Sequence, residues 1–285
     1  MNLPERLTSG TLPPMAARKQ VMGRVRVGIG GWSYAPWRGT FYPKGLKQAD
    51  ELAYAASHLT SIEINATHYR LQSSKSFKSW AEAAPEGFVF SVKGPRLVTN
   101  QKALAETGSF IKRFFASGLA ELGGKLGPAL WQFAPFKKFD VDDFARFLDL
   151  LPRTLDGLML NHAIEARHAS FRSPAFVKLM RDAGASIVFT DAETLPSIAD
   201  LTSDIVYARL QRGDDRLAAA YPPKELDGWA ERARIWATGG RPQDLPLVDP
   251  SQRHETKPRD VFIYFIHEGK LRAPAAAMAL IERVA

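Results

Sequence analysis

The chain of 285 residues contains no cysteine, which excludes disulfides, thiol nucleophiles and cysteine-ligated zinc or iron–sulfur centres. No apolar run approaches the roughly 20 residues needed to cross a bilayer, so we expect no membrane-spanning segment and no membrane partner. Residues 1–23 contain three prolines and scattered Arg and Lys but lack the apolar core of a signal peptide. We predict that they form a flexible arm and that the protein is cytoplasmic.

Histidine is scarce, with six residues in the chain. A metal-dependent hydrolase needs three or more converging His, Asp or Glu side chains, and no predicted strand carries a paired His-x-His motif. The single candidates are His68, Glu165, His168, Asp191 and His267. A dinucleotide fingerprint is also incomplete, because Ser33 stands where the last glycine should follow Gly28 and Gly30. We therefore predict no required metal and no cofactor.

The main compositional bias is positive charge. The net charge of +8 and the isoelectric point of about 9.7 favour anionic partners, either a small molecule or a nucleic acid. Apolar residues make up 45% of the chain and charged residues 24%, as in an ordinary soluble globular protein. The length is sufficient for a large hydrophobic core.

Eight short apolar runs have the length and composition of β-strands, several of them nearly continuous, as in a parallel sheet covered on both faces. They are Arg24–Gly30, Ser61–Asn65, Phe88–Lys93, Pro128–Phe133, Leu158–Glu165, Ala185–Thr190, Asp204–Leu210 and Val261–Ile266. Helical patterns lie between most of them. This alternation over residues 24–285 fits the roughly 250 residues of a single (β/α)8 TIM barrel, which we predict as an α/β fold; a doubly wound open sheet is the alternative.

The segments that connect the strands differ in how clearly their sequences predict a helix. Ser173 and Pro174 begin a helix that Gly184 ends, whereas Leu195–Leu201 predicts only a short helix. The polar, proline-rich segments Gln211–Lys224 and Thr238–Asp260 are predicted as loops. We expect the first of these loops to cover the barrel mouth as a lid.

A series of short motifs runs in order from about Arg26 to the end of the chain. They are Gly28–Tyr34, Trp37–Gly39, Phe41–Pro43, Ile62–Asn65 with Tyr69, Phe90–Lys93, Leu126–Pro128 with Gln132, and Ile164–His168. Together they resemble the domain-of-unknown-function family 72, also called YecE-like. The resemblance implies a TIM barrel but no reaction, because the members have no established common activity. The family's last strand usually ends in an Asn-rich turn, whereas this chain has Phe265–Glu268, so the roles of His267 and Glu268 stay open.

Polar residues crowd the ends of the predicted strands. Because side chains two apart share a face of a strand, as Glu63 and Asn65 do, the mouth of a barrel would collect a defined set. That set is Asn65, Lys93, Gln132, Glu165, Arg167 and Arg209, with His168, Asp191 and His267 near the rim. Barrel interiors normally fill with Val, Ile and Leu, so the cluster favours a ligand site. The alternative is an ion network that plugs the barrel and has a purely structural role.

Aromatic residues follow the first strand. Trp32 and Tyr34 lie nearest the strand end, and we predict that they contribute to a wall on which a ligand ring stacks. Trp37 and Phe41 are predicted to form a hydrophobic cap that seals the barrel.

Glu165 and Lys93 are the candidate catalytic residues. A retaining glycosidase needs one protonated carboxylic acid, a role that does not suit Glu165 among cations. A Schiff-base lyase would use Lys93, whose pKa the neighbouring arginines would lower. A role of Lys93 in anion binding, together with Arg167 and Arg209, is favoured, since guanidinium groups match carboxylates and phosphates.

The sequence therefore predicts a TIM-barrel protein that binds a phosphate- or carboxylate-bearing small molecule at the mouth. Asn65 and Gln132 would orient this ligand, Glu165 would orient an arginine or act as a base, and the reaction would be a hydrolysis or a lysis. The alternative is a nucleic-acid binding or processing protein. Positive charge in a deep pocket favours the small molecule, and a continuous surface groove favours the nucleic acid.

Overall fold

A closed barrel of eight parallel strands forms the centre of the computed structural model, which describes residues 22–251 and 255–285. The strands are β1 Val25–Gly30, β2 Ser61–Ile64, β3 Val89–Lys93, β4 Leu126–Gln132, β5 Thr154–Leu155, β6 Leu158–Met159, β7 His162–Glu165, β8 Ser186–Thr190, β9 Ile205–Arg212 and β10 Asp260–Glu268. All except β5 and β6 belong to the barrel, in the order β1-β10-β9-β8-β7-β4-β3-β2. The predicted (β/α)8 TIM barrel is confirmed.

Helices surround this barrel and bury the outer faces of the strands. They are α1 Glu51–His58, α2 Ala66–Tyr69, α3 Ser74–Ala83, α4 Arg96–Thr99, α5 Gly108–Phe115, α6 Val141–Asp149, α7 Pro174–Asp182, α8 Pro223–Ala237 and α9 Ala273–Val284. Local sequence explains several of these bounds. Asp140 begins α6, because its carboxylate accepts a hydrogen bond from Asp143 N at 2.9 Å. In the described part of the chain, every helix falls short of the length and apolarity that a membrane span requires.

The predicted strand Leu158–Glu165 is wrong in one respect, because the chain divides it in two. Its first residues form β6, which pairs antiparallel with β5, and only His162–Glu165 enters the barrel. Asp156 and Gly157 form the turn between β5 and β6 with φ angles of 47° and 81°. An Asp-Gly pair favours this kind of two-residue hairpin turn, so the signal is present in the sequence.

The short helix predicted at Leu195–Leu201 is also wrong: this fully described segment is irregular. Tertiary hydrogen bonds hold it instead. The Asp200 carboxylate accepts from Val248 N at 2.8 Å and from Asp249 N at 3.0 Å, and Ala199 N donates to Pro246 O. The segment therefore forms hydrogen bonds with a neighbouring loop instead of the backbone bonds of a helical turn.

Two further predictions concern the ends and loops of the barrel. Most of the predicted arm 1–23 lies outside the described residues, and of its described part Gly23 N donates to Ala237 O at 2.9 Å. The loop after β9 does not line the mouth cavity as a lid would. It packs beside the last strand, where Arg272 N donates to Asp215 Oδ1.

The barrel interior has two halves of different chemistry. The half toward the N-terminal ends of the strands is apolar, filled by Val89, Leu130, Val188, Ile205 and Phe262. Above this layer the inward-facing residues become polar and charged at the next positions of the same strands. The fold therefore closes the bottom of the barrel and leaves a polar mouth.

Candidate functional site

A cavity of about 550 Å³ opens at the C-terminal ends of the barrel strands. Its polar wall includes Asn65, Lys93, Gln132, Arg167, Arg209 and Gln211, and Ser33 and Lys270 also line the cavity. Glu165 lies beneath this wall, 1% exposed, and is bonded to several of these side chains. The structure thus brings together all six residues that strand alternation assigns to the mouth.

Arg209 occupies the centre of the polar layer and joins two buried carboxylates. Its Nε and Nη2 donate to Glu63 Oε2 and Oε1, both at 3.0 Å, in the two-pronged geometry that guanidinium favours. Its Nη1 donates to Glu165 Oε2 at 2.6 Å. The Tyr207 hydroxyl adds a bond of 2.9 Å to Glu63 from the layer below. Arg209 is therefore neutralised within the barrel.

Glu165 receives hydrogen bonds from four side chains. Besides Arg209, the amides of Gln132 and Gln211 donate to it, and Arg167 Nη2 lies 3.4 Å from Oε1. Burial alone would raise the pKa of Glu165, but the charges of Arg209 and Arg167 outweigh it and hold the pKa at about 2. A carboxylate held ionised in this way fits the predicted orienting role better than the predicted role as a base.

Lys93 contrasts with Arg209. Its side chain is 6% exposed and lines the cavity, yet no described residue accepts a hydrogen bond from its Nζ. The nearby Glu63 and Glu165 carboxylates form their ion pairs with arginines. Burial and the charge of Arg209 lower the pKa of the Lys93 ammonium to about 8, although the two carboxylates act in the opposite direction.

Arg167 is also incompletely paired. Its 3.4 Å contact with Glu165 is long for a charge-assisted bond, and its side chain keeps 23% exposure toward the cavity wall. Its Nε is buried and has no partner among the described residues. Asn65, which lines the same cavity, caps no helix with its amide. These groups therefore keep unused hydrogen-bonding capacity among the described residues.

The charges of the described side chains in the layer do not balance. Lys93, Arg167 and Arg209 face Glu63 and Glu165, which leaves one positive charge in excess when Lys93 is protonated. Both carboxylates contact Arg209. The excess positive charge therefore lies at Lys93 and Arg167. An anion with one or two charges would complete this side of the layer.

The aromatic residues are placed differently from the prediction. Trp32 packs edge-on against Trp80 at 5.2 Å, and Tyr34 lies under the Lys270 ammonium at 4.4 Å; neither lines the cavity. Trp37, predicted as part of a cap, does line it, while its indole N–H donates to Lys270 O at 2.9 Å. The stacking role of Trp32 and Tyr34 stays a prediction without a contact to the cavity.

His168 and Asp191 also lie outside the cavity wall. The His168 ring accepts a hydrogen bond from Ser170 N at 3.1 Å and so caps the 3-10 helix Ala169–Phe171. Asp191 accepts from Gln211 N at 2.6 Å and from the Tyr221 hydroxyl at 2.8 Å. Asp191 thereby holds Gln211 beneath the cavity, and burial raises its pKa.

Sequence reasoning placed Glu63 on the face of Asn65 without assigning it to the site, and it overlooked Gln211 and Gly30. Glu63 and Gln211 stand two positions from Asn65 and Arg209, so strand alternation identifies them with the same rule. Gly30 has a different signal. A Cβ at this position would lie 2.9 Å from Ile266 Cγ2 and 3.0 Å from Asn65 Nδ2, so a glycine keeps the wall open there.

Metal ligation is not built into the described residues. Within 22–251 and 255–285, no three His, Asp or Glu side chains converge in the way that a metal ion needs. The two buried carboxylates bind arginine instead. The donor set of the cavity, made of ammonium, guanidinium and amide groups, suits an anion.

The family described as "Protein of unknown function DUF72" matches residues 26–285. A DUF72 family protein from Thermotoga maritima MSB8 is similar in structure, with a TM-score of 0.65 and 24% identity over 90% of this chain and 97% of that one. One from Enterococcus faecalis V583 has a TM-score of 0.63 and 20% identity over 92% and 98%. At these identities the solved structures establish the fold alone. No functionally curated protein matches the sequence.

The family match covers nearly the whole described barrel and includes the strands that carry Glu63, Lys93, Glu165 and Arg209. It agrees with the resemblance of the sequence motifs and with the closed barrel. The chain belongs to the DUF72 family of TIM-barrel proteins.

Proposed function

We propose that the mouth cavity binds a small molecule through a phosphate or carboxylate group, and that Lys93 and Arg167 hold this group. The observation that supports the proposal is the incomplete pairing of these two cations beside a fully paired third cation, Arg209. A buried or half-buried charge without a partner is unfavourable in the folded protein. A bound anion removes this cost.

The other wall residues have supporting roles in this proposal. Glu165 and Glu63 fix Arg209, whose guanidinium forms a rigid back wall. Asn65 and Gln132 orient the uncharged part of the ligand with their amides. The cavity volume of about 550 Å³ accommodates a molecule of metabolite size rather than an isolated ion. Hydrolysis or lysis of this molecule is the reaction class that we propose.

Thermal unfolding with and without tens of millimolar sodium phosphate tests the proposed binding. Chloride at matched ionic strength corrects for screening, because only a ligand that binds the folded state raises Tm further. We expect phosphate to stabilise the wild type and to have no specific effect on Arg167→Ala. Arg172→Ala, which removes an exposed arginine outside the cavity, is the matched control and should keep the response. Equal responses of the wild type and Arg167→Ala would contradict the proposal.

A second candidate function, nucleic-acid binding, has one specific observation in its favour. A groove of about 450 Å³ adjoins the mouth and shares Tyr69 with it. Arg70, Arg96 and Arg113 line this groove, and no carboxylate is among its lining residues. Tyr69 is 66% exposed and lies 5.5 Å from the Arg96 guanidinium, as in surfaces on which bases stack.

Binding of a fluorescently labelled single strand, followed by anisotropy at several salt concentrations, distinguishes the two functions. Nucleic-acid binding predicts an affinity that falls steeply with salt and that the double variant Arg96→Ala/Arg113→Ala weakens by more than tenfold. The small-molecule proposal predicts weak binding that these substitutions leave nearly unchanged. In both cases the response of Tm to phosphate should persist in the double variant, since neither arginine lines the mouth cavity.

A further inference from the structure

We propose that Lys93 is an amine nucleophile and that the ligand of the mouth is an anionic carbonyl compound with which it forms an imine. The inference rests on the proposed anion site and adds a substrate class and a covalent step to it. Its basis is the position of the Lys93 amine, the engagement of the described carboxylates Glu63 and Glu165 by other donors, and the presence of a second cation for the anionic group.

The backbone presents the Lys93 amine to the cavity from a rigid position. Lys93 ends β3, where its carbonyl accepts a hydrogen bond from the Thr67 hydroxyl at 2.7 Å. The next residue, Gly94, donates to Leu130 O on β4 at 2.7 Å. Because the side chain is 6% exposed and lines the cavity, a reagent reaches the amine through the mouth.

No carboxylate among the described side chains forms an ion pair with the Lys93 amine. Glu63 accepts two bonds from Arg209 and one from Tyr207, and Glu165 is surrounded by amides and guanidinium groups. A lysine with only a structural role would pair with one of these carboxylates. Here both carboxylates are occupied, so the Lys93 nitrogen remains available to a ligand.

The environment also increases the neutral, nucleophilic form of the amine. Burial and Arg209 lower the pKa of Lys93 to about 8. About a tenth of the amines are then neutral near pH 7, against fewer than about one in a thousand for an ordinary lysine. A site that only holds an anion gains from a fully protonated lysine, whereas a site that forms an imine needs the neutral amine.

The covalent step balances without a further reactant. The neutral Lys93 nitrogen adds to the carbonyl carbon, and the electrons of the carbonyl π bond move to the oxygen. A proton then passes from nitrogen to this oxygen, which gives the hydroxyl of a carbinolamine. The nitrogen lone pair then expels this hydroxyl, which takes up the remaining nitrogen proton and leaves as water, and a carbon–nitrogen double bond forms. Arg167 holds the anionic group of the same molecule. The resulting imine, once protonated, withdraws electrons from the adjacent carbon, as the proposed lysis requires.

Reductive trapping with pyridoxal 5′-phosphate, an aldehyde that carries a phosphate, tests the inference directly. The folded wild-type protein is treated with this probe and sodium cyanoborohydride, and modified lysines are located by peptide mass spectrometry. We expect Lys93 to be labelled at least tenfold faster than the exposed Lys47, and we expect inorganic phosphate to slow labelling of Lys93 alone. Lys93→Arg, which keeps the charge, should remove the fast label while Tm still rises with phosphate.

Three results would overturn the inference. Labelling of Lys93 no faster than that of Lys47, in a protein that phosphate stabilises, would refute the imine and leave the anion site standing. Fast labelling of Lys93 that phosphate does not slow would show a reactive amine without an anion site, and the inference would fall together with the proposed function. Slow labelling without any phosphate stabilisation would reject both.

Discussion

The two sides of the polar layer use the same residue types in opposite ways. On one side, Arg209 is 4% exposed and forms close ion pairs with Glu63 and Glu165. On the other side, Lys93 has no described acceptor, and Arg167 has one long contact of 3.4 Å. A neutralised charge in a barrel interior is part of the architecture, whereas an incompletely paired charge that faces a cavity indicates a ligand.

The largest effect should come from breaking the neutralised side. Arg209→Met leaves buried Glu63 without its cation and Glu165 with only the long contact to Arg167, and we expect a loss of about 3–5 kcal/mol of unfolding free energy near pH 7. Burial raises the pKa of the Glu165 carboxylate once the charge of Arg209 is gone, so the deficit should shrink as pH falls and Glu165 becomes protonated. Urea unfolding at neutral and mildly acidic pH measures both effects.

Arg26→Met provides the matched control for this substitution. Arg26 pairs with Asp260 at 3.1 Å at the opposite end of the barrel, but Asp260 is 41% exposed, so water solvates it when the arginine is removed. We expect a loss of less than about 1 kcal/mol. Equal losses for Arg26→Met and Arg209→Met would contradict the assignment of Arg209 as a buried structural charge.

Removal of the charge at Lys93, which has no described ion-pair partner, should stabilise the protein, in contrast to removal of Arg209. The pKa of Lys93 falls from 10.5 to about 8 on folding, so the unfolded chain binds more protons between these values and stability rises with pH there. Lys93→Met removes a penalty that is fully present below pH 8, and we expect a gain of up to about 3 kcal/mol near pH 7 that fades toward pH 10.5.

Urea unfolding over this pH range measures the gain, and Tm with phosphate measures its functional consequence. We expect Lys93→Met to be stabilised and to have lost its response to phosphate, the pattern of a residue kept for function at the expense of stability. A destabilised Lys93→Met protein would indicate that the lysine has a structural partner.

A smaller effect is expected where Gly30 keeps the wall open. The added methyl of Gly30→Ala would crowd Ile266 and Asn65 at 2.9 and 3.0 Å, and we expect a loss of about 1–3 kcal/mol. Gly124→Ala is the control, since nothing lies within 4 Å of the new methyl and its φ is not positive. Thermal unfolding of both variants gives the comparison; equal stability would mean that the wall at Gly30 yields easily.

The smallest effect should follow removal of an orienting amide. Asn65→Ala takes away a neutral hydrogen-bonding group from the cavity wall, and we expect about 1 kcal/mol weaker ligand binding, or roughly fivefold in affinity. Stability should change little, because the Asn65 amide caps no helix. Calorimetric titration with a phosphate-bearing ligand measures the difference, and a loss as large as that of Arg167→Ala would place Asn65 on the anion itself.

Much of this architecture could be predicted from residue patterns. Apolar runs identified all eight barrel strands, and alternation collected Lys93, Glu165 and Arg209 at one end, because both depend on the local geometry of extended chains. The charge balance could not be predicted in the same way. It depends on which carboxylate reaches which cation across the barrel, as between Glu63 and Arg209, which are 146 positions apart in sequence.

The aromatic residues illustrate a second limit. Sequence proximity to the strand end favoured Trp32 and Tyr34, yet Trp37 reaches the cavity because a short 3-10 helix, Ala35–Trp37, turns the chain inward. Such a turn places a side chain by its three-dimensional course rather than by its distance from the strand. The roles of loop residues around a barrel mouth therefore depend on the three-dimensional structure of the loop.

The central claim is that the side of the layer at Lys93 and Arg167 is completed by an anion. A nuclear magnetic resonance titration of the Lys93 side-chain amine, with and without phosphate, tests it most directly, with Lys93→Arg to assign the signal. We predict a pKa of about 8 without phosphate and an upward shift when phosphate binds, because a nearby anion stabilises the ammonium form. A pKa near the ordinary 10.5 that phosphate does not change would contradict the claim.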